Sequence, residues 1–136
     1  MANMPKLLAP KILAIETSCD ECSASVVERS GTFVKVHSNV IFSQIDLHKR
    51  YGGVVPEVAS RNHLEMLAPV IDEALEKSNT TFSDLAAIAV TQRPGLIGAL
   101  LVGVSAAKAM AYTLGIPLIG VNHLEGHLHS IFIDGQ

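Results

Sequence analysis

The sequence predicts a single α/β domain built on a mixed five-stranded sheet with helices on its faces. The chain has 136 residues, which is enough for one ordinary domain and too few for two. Apolar residues make up 49% and charged residues only 17%, so the chain can bury enough apolar surface to fold. Short β-branched runs come first and apolar residues at helical spacing follow, which is typical of strands followed by strand–helix crossovers.

Three strands are predicted at the start of the chain. Residues 11–17 form a short apolar run, residues 22–29 alternate small and apolar side chains, and residues 32–42 are rich in β-branched and aromatic side chains. The short connections between these runs predict an antiparallel meander. Residues 1–10, which precede the first strand, are expected to form a loose leader.

Helices and strands then alternate. Pro56 begins a run of apolar residues at three- and four-residue steps, which predicts a helix to about Lys77 with a kink at Pro69. Residues 85–91 are predicted to form a buried strand. Residues 96–114 are apolar on nearly every side, which predicts a buried helix.

The last two elements complete a recognisable order. Residues 116–121 predict the fifth strand, and Asn122 is a good N-cap for a helix that runs to about residue 132. The resulting order, β-β-β-α-β-α-β-α, is that of the ribonuclease H-like half of actin, sugar kinases and Hsp70. The excess of apolar residues suggests that something outside this chain covers one face of the domain.

Charge and composition argue against several classes of protein. Ten Lys and Arg residues against thirteen Asp and Glu residues disfavour a nucleic-acid-binding arm. The charge-free part of the apolar region, residues 94–107, is shorter than the roughly 20 residues of a membrane span, so no membrane contact is expected. No secretory signal is visible at the start. Cys19 and Cys22 are too close together to staple distant parts of a fold, which favours a cytoplasmic location.

The most specific motif is a pair of histidines in the last predicted helix. His123 and His127 lie four residues apart, on one helix face, and can share a metal ion. Neutral imidazole suits zinc and iron(II). A pair of surface or capping histidines is the alternative, and a metal would need a third ligand from elsewhere. Zinc-protease chemistry is disfavoured because Leu124 follows the first histidine and Glu125 lies on the far side of the helix.

The turn between the first two predicted strands is a second candidate site. It carries Glu16, Thr17, Ser18 and Asp20. Free backbone N–H groups in a hydroxyl-rich turn can cradle a phosphate, and carboxylates can hold a metal or position a water. An ordinary solvated turn is the alternative interpretation. Cys19 and Cys22 frame the same turn and are interpreted as packing residues rather than as a metal or redox pair.

Two further segments are weaker candidates. Residues 91–98 lead from a strand into a helix N-terminus, a place that favours anions, although their glycines are interpreted as packing residues and Arg93 is left open. Residues 44–57 are predicted to form a long polar loop that contacts a partner or RNA phosphate, with a loop that contacts only solvent as the alternative. Its candidate contact residues are His48, Lys49, Arg50 and Tyr51. His63 is interpreted as a partly buried, hydrogen-bonded histidine, and His37 as a surface residue.

Taken in order, four segments resemble the TsaD family of tRNA threonylcarbamoyladenosine biosynthesis proteins, formerly called O-sialoglycoprotein endopeptidases or glycoproteases. They are ILAIETSCDE, SQIDLHKRYGGVVPEVASRNHLEML, RPGLIGALLVGVSAAKAMAY and IPLIGVNHLEGH. The resemblance runs from about Ile12 to Ile133. It implies the two-lobed ASKHA (actin-like ATPase) fold, with residues 11–136 as the N-terminal lobe and the C-terminal lobe absent. Cys22 and Arg93 depart from the family pattern, which usually has Thr and Gly there.

The resemblance implies an acyltransferase that modifies tRNA. The family transfers threonylcarbamoyl from threonylcarbamoyl-adenylate to N6 of the adenosine next to the anticodon, in tRNAs that read codons beginning with A. It also implies that His123 and His127 bind a divalent metal, iron or zinc, in the cleft between the lobes. Glu16, Thr17, Ser18 and Asp20 would face that cleft, while most contacts to ATP, ADP or the acyl-adenylate belong to the missing half. The lobe alone is expected to be inactive.

The resemblance also implies partners. Proteins of the TsaB and TsaE types are expected, with tRNA as the substrate of the full-length enzyme. The alternative function is a partner-binding module that pairs with TsaB through the helix at residues 53–77 and its neighbours, and the same surface would serve a homodimer. A metalloprotease and a small-molecule kinase of the same fold are less favoured, since a histidine pair has no use in kinase chemistry.

Overall fold

One sheet organises the part of the chain that the structure describes. The computed structural model describes residues 10–134, so the predicted leader lies outside the described residues except for Pro10. The strands there are β1 (Lys11–Glu16), β2 (Glu21–Ser30), β3 (Phe33–Ser43), β4 (Leu85–Arg93), β5 (Leu118–Asn122) and β6 (Ile133–Asp134). The helices there are α1 (Ile45–Lys49), α2 (Pro56–Lys77), α3 (Ile97–Leu114) and α4 (His123–His129).

The strand order is β5-β4-β1-β2-β3-β6. The first three strands form the predicted antiparallel meander, and β4 and β5 continue the sheet in parallel on the other side of β1. The mixed sheet of five predicted strands is thereby confirmed. A two-residue strand, β6, adds a parallel edge beside β3, and a strand that short leaves no alternating pattern in a sequence.

Two element boundaries differ from the prediction for local reasons. The fifth strand begins at Leu118 rather than at Ile116, because the N–H of Ile116 donates to the carbonyl of Ala111 and closes the end of α3. The last helix ends at His129, and a 3-10 turn follows it over Ser130–Phe132. The long helix α2 has the predicted bounds, and the kink expected at its exposed Pro69 stays a prediction.

The hydrophobic core lies between the sheet and the inner faces of α2 and α3. Leu13 and Ile15 of β1 are buried, whereas their neighbours Ala14 and Glu16 point to the other face of the sheet and are half-buried. Residues of α2 at helical spacing complete this layer. They are Leu67, Val70, Ile71, Ala74 and Leu75.

The prediction that residues 96–114 form a buried helix is wrong. Only Ala99, Gly103, Ala107 and Ala111 of α3 are buried. These small side chains recur every four residues, so they form one narrow stripe that lets the helix lie close to the rest of the fold. Beside this stripe Val102, Val104, Ala106 and Met110 are half-buried against the core, whereas Ile97, Leu101 and Tyr112 are exposed. By length and composition alone, α3 is also apolar enough to cross a membrane.

The segment predicted as a long loop contains a helix and buried side chains. Within residues 44–57, α1 forms a short helix, and Gln44 and His48 are buried. The expectation that His48 contacts a partner or RNA is therefore wrong, because its ring faces the interior and bonds to protein groups. Lys49, Arg50 and Tyr51 are exposed, as expected of contact residues.

We expect Gly103→Ala to destabilise the chain by about 1–3 kcal/mol, because an added methyl group would overpack a filled interior. A Cβ at Gly103 would lie 2.5 Å from Thr17 Oγ1, and Thr17 is fully buried. Urea unfolding measures the effect. Gly126→Ala is the matched control, since its Cβ would meet nothing within 4 Å, and its stability should be unchanged or higher by up to about 1 kcal/mol. Equal midpoints for the two variants would contradict the close approach of α3.

Candidate functional site

Three parallel strands deliver polar residues to one edge of the sheet. Glu16 ends β1, Thr91 lies near the end of β4, and Asn122 ends β5. These strands run parallel to one another, so their carboxyl ends meet at the same edge. Open α/β sheets bind ligands at this edge.

Asn122 positions the first candidate ligand. Its side-chain oxygen accepts hydrogen bonds from the N–H groups of Leu124, at 2.9 Å, and Glu125, at 3.3 Å. The predicted N-cap is thereby confirmed. Because the cap is also the last residue of β5, no connecting residue separates the strand from α4. The side chain of His123 is therefore held directly at the sheet edge.

His123 and His127 bring their ring nitrogens together. Their Nε2 atoms lie 3.0 Å apart, and the rings meet edge to face with centroids 4.6 Å apart. Two nitrogens that each bind one metal ion at about 2.0–2.1 Å are separated by a distance of this size. The pair is accessible, since His123 is half-exposed and His127 is exposed. The donor set therefore fits two positions in the coordination sphere of a divalent metal.

Glu16 fixes the orientation of His123. The Glu16 Oε2 atom lies 3.0 Å from His123 Nδ1 and accepts a 2.6 Å hydrogen bond from Thr91 Oγ1, while Oε1 accepts from the Ser18 N–H. Burial opposes ionisation of Glu16, but the hydrogen bonds from Ser18, Thr91 and His123 outweigh it and hold the pKa of Glu16 below its ordinary value.

An ionised carboxylate only accepts hydrogen bonds, so the proton of neutral His123 lies on Nδ1. Its Nε2 lone pair is then directed to His127. Metal-binding histidines are commonly oriented by a carboxylate in this way.

A shallow pocket of about 310 Å³ opens at the histidine pair. Besides Glu16, Thr91, Asn122 and the two histidines, it is lined by Glu21, Val121, Gly126 and Ser130. Glu21 is the last residue of the turn segment that the sequence marks as a candidate site, residues 16–21, and the structure places it in the pocket with Glu16. Among residues 10–134, no group of three or more His, Cys, Asp or Glu side chains is placed to hold a metal. A metal at the histidine pair would need a third ligand from outside these residues.

The structure separates the four candidate residues of the first turn. Glu16 reaches the histidine pair, and Ser18 Oγ lies 3.4 Å from His123 Nδ1. Thr17 is fully buried and donates its hydroxyl to the carbonyl of Ala99 at 2.7 Å, so its side chain offers no exposed atom to a ligand. Asp20 lines a separate pocket of about 350 Å³ beside α1.

The two cysteines have different environments. Cys22 is fully buried, and burial raises the pKa of its thiol to about 11. Cys19 is exposed at the turn, where partial burial and the nearby Asp20 raise its thiol pKa. Both are free thiols. The interpretation of a packed cysteine is confirmed for Cys22.

The segment before α3 also packs on the turn. A Cβ at Gly95 would lie 2.6 Å from the carbonyl oxygen of Ser18, which accepts a 2.8 Å hydrogen bond from the N–H of Leu96. The interpretation of this glycine as a packing residue is confirmed. Arg93 is exposed at the end of β4, where its role in anion binding stays a prediction.

Comparison with known proteins identifies the family. A family model described as TsaD, tRNA N6-adenosine threonylcarbamoyltransferase, matches residues 35–136. The chain belongs to the TsaD family. A protein of that name from Clostridium novyi is 61% identical over 123 residues, and one from Shouchella clausii is 56% identical over 119 residues. The matches cover 90% and 88% of this chain but 35% of either relative, so the chain spans about a third of their length.

Solved structures confirm the fold. YeaZ from Pseudomonas aeruginosa superposes with a TM-score of 0.61 at 20% identity, over 83% of this chain and 44% of that one. RuvC from T. thermophilus, solved with a Holliday junction substrate, superposes with a TM-score of 0.52 at 11% identity, over 88% of this chain and 68% of that one. The TsaD-family chain therefore has the predicted ribonuclease H-like, ASKHA-type fold.

We expect one of the two cysteines to react with iodoacetamide in the folded chain. Cys19 is accessible, whereas Cys22 has no exposed surface and a thiol pKa of about 11, so at pH 8 it is both covered and protonated. Intact mass measurement should show one adduct in buffer and two in urea. Cys19→Ser should show no adduct in buffer, and rapid double alkylation of the folded wild type would contradict the packing of Cys22.

Proposed function

We propose that this chain forms the N-terminal lobe of a tRNA N6-adenosine threonylcarbamoyltransferase. Its relatives at 56% and 61% identity carry that name. The observation that supports the proposal within the molecule is the convergence of His123 and His127 beside Glu16, at the ligand-binding edge of the sheet. Because the chain spans about a third of those relatives, we infer that the active enzyme needs a second lobe and that this lobe alone is inactive.

In this proposal the histidine pair holds a divalent metal, iron(II) or zinc, through the two Nε2 atoms. Such a metal supplies Lewis acidity to the phosphate or carbonyl oxygens of threonylcarbamoyl-adenylate. The third ligand comes from outside residues 10–134, as does most of the contact with nucleotide. The adenosine next to the anticodon of a tRNA is the acceptor.

Glu16 has a positioning role in this scheme. Its two oxygens accept from Ser18, Thr91 and His123, and its lowered pKa keeps it ionised at neutral pH. A carboxylate occupied by three donors is poorly placed to take a proton from the substrate. We therefore assign to Glu16 the orientation of His123, and we assign the proton transfer at adenosine N6 to no residue of this lobe.

A partner-binding surface is the second part of the proposal. Between α2 and α3 lies an apolar groove of about 640 Å³. We name it the α2–α3 groove, and its main lining residues are Leu64, Leu67 and Ile71 of α2 with Leu101, Val102 and Met110 of α3. Leu64 is 69% exposed and Leu101 is 57% exposed. Adjoining apolar residues left open in this way are typical of protein contact sites.

We propose that a TsaB-type protein covers the α2–α3 groove in the assembled enzyme. The resemblance to the family predicts such a partner, and the position of the groove matches the helix that the sequence predicted as the interface. A second copy of this chain is the alternative occupant of the groove. Binding of a TsaE-type protein stays a prediction, and we assign it no surface among residues 10–134.

We expect the histidine pair to be essential in a chimera that carries residues 11–134 of this chain in place of the corresponding third of the Clostridium novyi relative. His123→Ala and His127→Ala should each lower threonylcarbamoyl transfer to tRNA by more than about a hundredfold and abolish stoichiometric zinc or iron. Glu16→Gln should lower the transfer activity by about 10- to 100-fold, which is typical when a carboxylate that orients a metal-binding histidine is lost. The assays are transfer from threonylcarbamoyl-adenylate and elemental analysis.

His129→Ala is the matched control for this experiment. It removes a histidine from the same helix, α4, whose ring bonds to the Glu125 carbonyl rather than to the pair. Its transfer rate and metal content should equal those of the unmodified chimera. Normal metal content in both His123→Ala and His127→Ala would overturn the metal assignment, whereas an inactive chimera with bound metal would overturn the assigned activity alone.

We expect Leu64→Glu to weaken binding of a TsaB-type protein at least about tenfold, because it places a charge where an apolar side chain is to be buried. Titration calorimetry and size-exclusion chromatography measure the effect. Phe33→Glu is the control, since Phe33 is an exposed apolar residue of β3, outside the groove. If the wild-type chain binds no TsaB-type protein but elutes as a dimer that Leu64→Glu dissociates, the occupant is a second copy.

A further inference from the structure

Three buried polar side chains lie outside the histidine pair and have no part in the function proposed so far. Gln44 is 1% exposed, His48 is 3% exposed and His63 has no exposed surface. They occupy the interior between α1, α2 and the first turn. Buried polar groups are costly unless hydrogen-bonded, and apolar residues would fill such an interior more simply.

The hydrogen bonds of His48 and Gln44 run in a single direction. The backbone N–H of Val55 donates to His48 Nδ1 at 3.1 Å. A backbone N–H is always a donor, so Nδ1 is an acceptor and the proton of His48 lies on Nε2. His48 Nε2 lies 2.9 Å from Gln44 Oε1 and donates to it. The orientation of the Gln44 amide follows, with its NH2 group on the opposite side.

The second half continues in the same direction. Gln44 Nε2 lies 3.3 Å from His63 Nδ1 and 3.4 Å from the carbonyl of Ala59, and it donates to both. His63 therefore carries its proton on Nε2, which donates to the carbonyl oxygen of Cys19 at 2.7 Å. A backbone carbonyl is always an acceptor and a backbone N–H is always a donor. All the hydrogen bonds from the Val55 N–H to the Cys19 carbonyl therefore run in one direction.

The last acceptor belongs to the turn beside the candidate site. Neighbouring carbonyls of that turn are bound as well: Ser18 accepts from the N–H of Leu96 at 2.8 Å, and Asp20 accepts from the N–H of Gln44 at 3.0 Å. Because a trans peptide holds N–H opposite to C=O, fixing the Ser18 and Cys19 carbonyls fixes the directions of the Cys19 and Asp20 N–H groups.

We propose that His48, Gln44 and His63 are positioning residues that act as one directed relay, fixing the turn at residues 17–20 beside Glu16 and His123 and coupling it to the loop that ends at Val55. The effect on catalysis rests on the proposed transferase function, but the relay itself does not. The relay has room for one proton on each ring, because a second proton would point one hydrogen-bond donor at another. The Gln44 amide cannot turn over without breaking the relay.

The first test needs no substitution. Nitrogen-15 spectra of the imidazole rings in this chain at pH 7 distinguish the two neutral tautomers and the imidazolium. We expect His48 and His63 each to be neutral with the proton on Nε2. A proton on Nδ1, or an imidazolium, at either residue would overturn the directed relay.

The second test measures coupling along the relay. In His48→Ala the Gln44 oxygen loses its donor, so the amide can turn over and present Oε1 to His63. We expect His63 then to gain an Nδ1-protonated population and the Asp20 amide nitrogen, which follows the Cys19 carbonyl, to change its chemical shift. In His37→Ala, which removes a histidine paired with Glu28 in the outer part of the sheet, neither signal should move. Unchanged signals in His48→Ala would overturn the coupling.

Gln44→Glu gives an independent result if His48→Ala does not fold. A carboxylate can only accept hydrogen bonds, so His63 should become an imidazolium at pH 7. Its Nδ1 would donate to the new carboxylate, and its Nε2 would still donate to the Cys19 carbonyl oxygen. A neutral His63 in this variant would overturn the contact on which the relay depends.

The catalytic part is tested in the chimera. We expect His48→Ala to lower kcat/KM for threonylcarbamoyl transfer about tenfold with unchanged metal content, because it displaces the turn without touching a ligand. Wild-type transfer in this variant would overturn the catalytic role of the relay. If the unmodified chimera transfers nothing, the function proposal fails, and the spectra still decide the relay.

Discussion

The contact between the Glu16 carboxylate and the His123 ring is the constraint on which the candidate site depends. It joins β1 to the residue that directly follows β5, across the intervening strand β4, whose Thr91 binds the same carboxylate. Three strands thereby meet in one half-buried, negatively charged group. The same contact sets the tautomer of His123 and directs its free nitrogen to His127, so the architecture of the sheet determines the chemistry of the pair.

The turn that follows Glu16 is fixed by hydrogen bonds to several neighbouring elements, and these bonds help to keep the Glu16 carboxylate at His123. Thr17 is bonded to α3, the Cys19 carbonyl to α2, and the Asp20 carbonyl to the segment before α1. A turn anchored by two helices and by the residue before a third keeps the carboxylate in place at little entropic cost when a ligand binds. This arrangement explains why most of the buried polar residues in the described part of the chain lie around one short connection, with Ser38 and Thr80 elsewhere.

The sequence alone predicted most elements of the fold, because strand and helix periodicities differ and because Asn122 and Pro56 mark helix starts. It also predicted the histidine pair from spacing. It failed for α3, since a helix with one face on the sheet and another open to solvent has the same apolar composition as a fully buried one. It could not show the Glu16–His123 contact, because these residues are far apart in the chain and only the sheet topology brings them together. It failed for His48, whose partners Gln44 and Val55 are near in the chain, because a polar segment does not show which of its side chains turn inward.

The direct junction between β5 and α4 has a mechanical consequence. Because no residue lies between the strand that ends at Asn122 and the helix that begins at His123, His123 is anchored to the sheet rather than carried on a loop. If the pair holds an ion as proposed, two of its ligands would be anchored to the sheet, and the remaining ligands would come from outside residues 10–134.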